Sequence, residues 1–257
     1  MSGVYIGVDG KARKVKGGYI GIDGVARKIK KGYIGVDGVA QLCWTAVEFD
    51  PVFANNTWEE IALACQLNAV PDSWAVGDQK TMKIDVTDYT IDIIGKNHDD
   101  YADGSGKAPL TFQLHDCYNT TYRMDERTGA VNWIDGEMRL TTLVAIKAKM
   151  PTEVQNLIKG VTKFSYGTRE STDELFLLSE VEVFGNATNS FFGEGEQYAF
   201  YADGGTRIKK FNGVAESWWL RSVYKSNSAN YVQVNSGGSS GYISARSNRG
   251  VSFAFCF

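Results

Sequence analysis

Apolar and polar positions alternate through the first 44 residues and then settle into a less regular pattern. Tyr5-Ile6-Gly7-Val8-Asp9-Gly10 recurs as Tyr19-Ile20-Gly21-Ile22-Asp23-Gly24 and Tyr33-Ile34-Gly35-Val36-Asp37-Gly38. Asp-Gly between β-prone runs predicts a hairpin, because a type I′ turn needs positive φ at both central residues. Each repeat therefore reads as strand, tight turn, strand, with Gly17-Gly18 and Lys31-Gly32 as joints. A lone two-stranded hairpin is marginal in water, so the three are expected to stack on one another, on the body, or on copies in other subunits. A docking or oligomerising module and a monomeric meander packed on the body both satisfy that need. The third repeat runs on as Ala40-Gln41-Leu42-Cys43-Trp44 where the others have Arg-Lys. That break sets an expected boundary, with repeats over 1–44 and a body over 45–257.

In the body, Thr57 with Glu60 three residues on is a capping box, and Trp58, Ile61, Ala62 and Cys65 recur at helical spacing before Pro71. Alternation predicts a hairpin of Met82–Val86 and Tyr89–Ile94, and a strand at Leu110–Leu114. Helices are expected over Asp135–Lys147 and Thr152–Lys159, divided by Pro151. The run Glu174–Phe184 reads as a strand with an apolar centre. Short strands and few helices in irregular order indicate an α+β body, not a doubly wound sheet.

The pattern changes again near the end of the chain. Trp218-Trp219-Leu220-Arg221-Ser222 leads into a stretch from Val223 to Gly250 made mostly of Ser, Asn, Gly and Tyr, with no Asp or Glu, before Phe253-Ala254-Phe255-Cys256-Phe257 closes. Ser, Asn and Gly adapt their hydrogen bonds to many partners, and Tyr supplies wide contact area at low entropic cost. Flexible linkers share that composition. Aromatic residues on both flanks favour a recognition surface held by a packed frame. The candidate contact residues are Tyr224, Lys225, Ser226, Asn227, Ser228, Asn230, Tyr231, Ser239, Ser240, Tyr242, Ser244, Arg246, Ser247 and Asn248. Tyr224, Tyr231 and Tyr242 are the expected aromatic anchors, and Lys225, Arg246 and Arg249 add charge.

Composition narrows this reading. The 257 residues can bury a substantial core, and 28 glycines against 4 prolines favour loops and turns over a helical bundle. The net charge of −3 hides a basic start and an acidic remainder. Solvated positions on alternating strands account for the basic residues of 1–44 without a nucleic-acid partner. No stretch approaches the roughly 20 apolar residues that span a bilayer, so membrane insertion is not expected. Met1-Ser2-Gly3-Val4-Tyr5 lacks the pattern of a secretory signal, which implies synthesis in a cytoplasm. Cys43, Cys65, Cys117 and Cys256 lack CxxC spacing and are expected as buried thiols.

Chemical motifs are sparse. Between Asn97 and Gly106 the acids fall at Asp99, Asp100 and Asp103, which is not EF-hand spacing; an Asx-turn loop fits better. The two histidines, His98 and His115, stand without a Gly-x-Ser-x-Gly elbow or an HExxH motif. Cys117 follows His115 by two residues, on the same side of an expected strand, with nothing else to activate a thiolate. Glu59-Glu60 belongs to a helix's first turn. Three cations beside tyrosines are too few for single-stranded nucleic acid. No catalytic residue, metal or cofactor is expected.

The body resembles an uncharacterised domain family of prophages and gut bacteria, related to the C-type lectin-like fold in its formylglycine-generating-enzyme variety. The matching pieces are Val76-Gly77-Asp78, Ile93-Ile94-Gly95, Asn97-His98-Asp99-Asp100, Leu175 through Gly185, Gly193-Glu194-Gly195 and Ile208-Lys209-Lys210. Trp218 through Ser222 and Gly250 through Cys256 complete the set. Val223 stands where that family usually has Pro, and Ser252-Phe253 where it closes with Ala-Pro. The resemblance implies that the terminal segment pairs back into a sheet with Trp218, Trp219, Phe255 and Phe257 as framework. The cysteine-pair active site of the oxidases does not map onto this chain, and the Glu-Pro-Asn and Gln-Pro-Asp triplets of calcium lectins are missing. The chain is also similar to the variable proteins of diversity-generating retroelements, which carry a hypervariable segment at the end of such a domain. That likeness implies a phage- or prophage-encoded receptor-binding protein in a virion tail, or in the bacterial cytoplasm before assembly. Its ligand would be a host-surface protein or glycan, and residues 1–44 would join the tail or other copies. A degenerate formylglycine-generating-type enzyme or a small-molecule-binding domain is the alternative.

Overall fold

The computed structural model describes residues 47–257 in full and, within 1–46, the backbone of the strands alone. The chain divides into two compact units, 1–50 and 51–257. In the first unit β1 (Tyr5–Val8) pairs with β2 (Lys11–Lys14), β3 (Tyr19–Ile22) with β4 (Val25–Lys28), and β5 (Lys31–Val36) with β6 (Val39–Thr45), all antiparallel. The three Asp-Gly pairs and the Gly17-Gly18 joint lie outside the described residues. Lys31 and Gly32, expected as a joint, belong to β5 instead, facing Thr45 and Trp44. The third repeat replaces its Arg-Lys with a longer β-prone run, and the longer β6 recruits two more residues as partners.

The second unit is α+β. Its first helix, α1 (Trp58–Gln66), starts at the expected box: Thr57 accepts from the Glu60 N–H at 3.2 Å while Glu60 accepts from the Thr57 N–H at 2.8 Å. Its buried face consists of Trp58, Ile61, Ala62, Ala64 and Cys65. Then β7 (Gln79–Ile84) and β8 (Thr87–Lys96) form the hairpin, with Asp85 in the left-handed region at φ 56°. Next comes β9 (Leu110–Leu114), every residue of it buried. One π turn over Met138–Thr142 runs into α2 (Leu143–Lys147), a later start than the Asp135 expected from sequence, and α3 (Thr152–Leu157) follows Pro151. Among the described residues no helix is long and apolar enough to cross a membrane.

After the hairpin β10 (Val161–Ser165) and β11 (Arg169–Asp173), the segment expected as one strand divides. Only Leu175–Phe176 (β12) is extended, and Glu180–Phe184 is a short helix, α4. Ser179 and Glu182 form a second capping box, and Gly185 closes the helix at φ 73°. Apolar residues at 175–178, 181 and 183 resemble a buried strand when the caps are overlooked. A further turn, α5 (Ala199–Ala202), and a small hairpin, β13 (Lys209–Phe211) with β14 (Val214–Glu216), lead to the last three strands of interest.

These are β15 (Trp218–Val223), β16 (Asn230–Val234) and β17 (Ser240–Ser244), an antiparallel sheet in that order with β17 at one edge. The terminal β18 (Ala254–Cys256) inserts between β12 and β9 in a second sheet ordered β12-β18-β9-β8-β7. Phe255 and Phe257 there meet Trp58 and Phe112 at ring-centroid distances of 5.2–6.3 Å, and both are buried. The chain end is thus part of the core.

Candidate ligand-binding face

The frame beneath the face is built by β15. All six of its residues are buried. Trp218 Nε1 donates to the Arg207 carbonyl at 2.9 Å and Trp219 Nε1 to the Tyr122 carbonyl at 2.7 Å, so neither indole buries an unsatisfied donor. The pairing of β15 with β16 is interrupted between Trp219 and Val223. There the Arg221 N–H bonds the Leu178 carbonyl at 2.8 Å instead. The Arg221 guanidinium forks onto Glu182 at 2.5 and 2.8 Å and also donates to the carbonyls of Phe164, Leu177 and Glu194. Glu182 is shared with Lys163, which bonds Asp99 and lies 2.9 Å from the Tyr198 hydroxyl.

Four buried charges balance within this cluster. Burial works to raise the Asp99 carboxyl, but the Lys163 ammonium and the Thr111 hydroxyl outweigh it and hold it down at about 2. Burial likewise opposes ionisation of Glu182, and Arg221 with Lys163 overcomes it. Glu194 differs. Burial pushes its carboxyl up to about 7 against the opposing pull of Ser222 and Arg221. It accepts from the Ser222 hydroxyl and from the Tyr166 N–H at 2.6 Å.

On this frame the fourteen candidate residues separate. Lys225, Ser226, Asn227, Ser239, Tyr242, Ser244, Arg246 and Asn248 are exposed. Tyr224, Ser228, Asn230, Ser240 and Ser247 are half-buried. Tyr231 corrects the sequence reading: it is buried, packs edge-on against Trp219 at 6.5 Å, and belongs to the frame. Its place on the central strand is the reason: β16 is covered on both faces, and residues 231–234 are all buried. Arg249 is also tied down, with Nε donating to Gln233 Oε1 at 2.8 Å and its backbone bonded to Tyr122. The two remaining tyrosines stack on each other, with centroids 3.6 Å apart and planes 7° apart. Hydrogen bonds from Tyr242 and Ser226 lower the Tyr224 phenol below its usual range, and the first of these raises Tyr242.

Three residues behind the face carry no signal in the polar segment itself. The buried Glu180 carboxylate accepts from the N–H groups of Asn189 and Ser190 at 2.8 Å, from the Ser190 hydroxyl at 2.7 Å, and from the Ser240 hydroxyl. Asn189 Nδ2 donates to Ser240 Oγ at 2.8 Å, and its carbonyl accepts from the Lys225 N–H at 2.9 Å. Glu180 therefore clamps the 189–190 segment to Ser240, and Asn189 ties the same segment to Lys225. Read from sequence as part of a strand, Glu180 instead opens α4 after the Ser179 cap, and its long-range partners leave no local signal.

The other candidates are structural. His115 Nδ1 contacts Asp92 at 2.8 Å, and that hydrogen bond raises its pKa. The strand ends at Leu114, so His115 and Cys117 do not share a strand face as expected. Burial pushes the Cys65 and Cys117 thiols up to about 12, and Cys256 upward as well. Such thiols stay protonated and are poor nucleophiles. Cys65, Cys117 and Cys256 are free; the Cys43 side chain lies outside the described residues. A Cβ at Gly250 would sit 2.4 Å from Cys117 Sγ, which explains glycine there. In the Asn97–Gly106 loop, Asp103 closes an Asx turn onto the Ser105 N–H at 2.9 Å. Asp99 points into the buried cluster. Among the described residues no group of three His, Cys, Asp or Glu is placed to hold a metal.

Comparison with curated proteins and with solved structures returned no match. The profile of a domain of unknown function, DUF6273, matches residues 45–257, which takes in all of the frame and the face. The chain is therefore a member of the DUF6273 family.

Proposed function

We propose that this chain is a non-catalytic receptor-binding protein, phage- or prophage-encoded, whose body is a C-type lectin-like domain presenting residues 224–248 to a host-surface ligand. The hairpin repeats of 1–44 attach it to a tail or to further copies. The polar segment is open to diversification by a retroelement, and a reverse transcriptase gene beside an adenine-variant copy of its coding segment would support that part. The observation that carries the reading is the Tyr224–Tyr242 stack. Tyr242, 47% exposed on the edge strand β17, stacks on Tyr224, which directly follows the fully buried β15 of the frame. Rigid aromatic anchors amid adaptable Ser and Asn are the composition of evolved paratopes.

The test is binding of the labelled full-length chain to intact bacterial cells, compared with a Tyr224→Ala/Tyr242→Ala double variant. The variant is expected to keep its fold by circular dichroism and to bind at least tenfold more weakly. Unchanged binding would remove the stack from the contact surface, and loss of fold would make it framework.

A further inference from the structure

A second aromatic group adjoins the face and lies outside the polar segment. Phe192 is 77% exposed, an unusual state for a phenyl ring, and Phe164 on β10 and Tyr166 at the tip of its hairpin are exposed too. Tyr166 stacks on Phe191 with centroids 4.5 Å apart, so the tip of the β10–β11 hairpin and the 191–192 segment form one ridge. Two features fix that ridge. Tyr166 sits at φ 51°, a strained conformation for a bulky residue, held by its N–H bond to the buried Glu194. Gly193 approaches the other tip so closely that a Cβ on it would lie 3.2 Å from the Gly167 carbonyl. The ridge is continuous with the face through the chain itself. Phe191 follows Ser190, and residues 189–190 are clamped by Glu180 to Ser240 and by Asn189 to Lys225.

We infer that this ridge, Phe164, Tyr166, Phe191 and Phe192, is a fixed part of the contact surface, and that its partner is a protein and not a glycan. The inference rests on the binding reading above and names the class of ligand. A sugar can stack on an aromatic ring but needs polar side chains around the stack for its hydroxyls, which Phe164, Phe191 and Phe192 do not supply. Phenyl rings gain most by being covered with other apolar side chains. The rim carries both charges: Arg169 covers the Tyr166 ring at 5.3 Å, Lys225 leaves the backbone at Asn189, and Glu170 pairs across the hairpin from Phe164. An apolar, aromatic centre inside a rim of mixed charge is the anatomy of a protein–protein contact. A membrane or a nucleic acid would call for a uniformly basic rim. Because the ridge is preorganised, it supplies affinity common to every variant of the polar segment, which then supplies the discrimination.

The experiment titrates the labelled full-length chain onto a panel of intact bacterial strains. Strains that bind are retested after protease shaving and, separately, after periodate oxidation of surface glycans. Shaving is expected to abolish binding and periodate to leave it within twofold. Phe192→Ser and Phe192→Lys, both on an exposed ring, are expected to weaken binding at least tenfold with an unchanged near-ultraviolet circular dichroism spectrum. Binding that survives shaving and disappears after periodate would assign a glycan and overturn the inference while leaving the binding reading intact. Phe192 variants within twofold of the parent would remove the ridge from the contact. A parent chain that binds no strain would sink the binding reading and this inference with it.

Discussion

β15 and β17 flank the same central strand, β16, yet they are opposite kinds of structure. Each residue of β15 is buried, and its side chains reach Arg207, Tyr122, Glu182 and Glu194. No residue of β17 is buried, and Ser240 is the residue there whose side chain is tied into the web around Glu180. Backbone pairing alone does not distinguish them, since β17 has the more regular ladder, five consecutive pairs with β16. What distinguishes them is whether side chains are needed to satisfy buried neighbours. A strand held by its backbone tolerates side-chain replacement, whereas a strand whose side chains neutralise buried groups does not.

That contrast breaks first at Arg221. Arg221→Ala leaves Glu182 buried with Lys163 as its remaining cation and strips donors from the carbonyls of Phe164, Leu177 and Glu194. Removing one partner of a buried pair costs about 3–5 kcal/mol, to be read from urea denaturation. A loss below about 1 kcal/mol would show that the cluster is not what holds β15.

Next in size is a pH effect at Glu194. Its folded pKa of about 7 lies above the ordinary 4.5, so the folded state binds the extra proton between those values. Its contribution is therefore complete below about pH 4.5 and is lost as pH rises through about 7, a change of roughly 3 kcal/mol. Asp99 runs the other way. Held at about 2, it contributes above its ordinary 3.8 and ceases to do so as pH falls through about 2. Stability should thus peak near pH 4–5 and decline toward pH 8. Glu194→Gln, which keeps an acceptor for the Tyr166 N–H, is expected to flatten the decline; an unaltered slope would assign it to other groups.

The difference between the two strands was only partly legible in the chain. Trp218-Trp219 announced a core, and the polar run announced a surface, because burial follows residue type. The α1 capping box and the β7–β8 hairpin followed from local spacing, and the terminal strand from the family resemblance. Tyr231 was misassigned because composition does not reveal that it lies on a central strand, β16, whose residues 231–234 are buried on both faces. Glu174–Phe184 was misread because its apolar run outweighed the Ser179 and Glu182 caps. Glu180, Glu194 and the aromatic ridge were silent for another reason: their partners lie up to 60 residues away, and no local pattern encodes such pairs.

The finest test compares two positions on β17 itself. Ser240 and Tyr242 are two residues apart and share a face, but only Ser240 reaches the Glu180 carboxylate. Ser240→Ala removes one donor from a buried anion, and with the Asn189 and Ser190 donors still in place it should cost about 1–2 kcal/mol. Tyr242→Ala loses an exposed stack on Tyr224 and no bond to the frame. About 1 kcal/mol or less is expected, given the 0.5–1.5 kcal/mol of aromatic pairs, with the larger effect on binding. Were Tyr242 the more costly of the two in denaturation, the edge strand would be framework like β15, and the adaptable surface would shrink to the loops at either end of it.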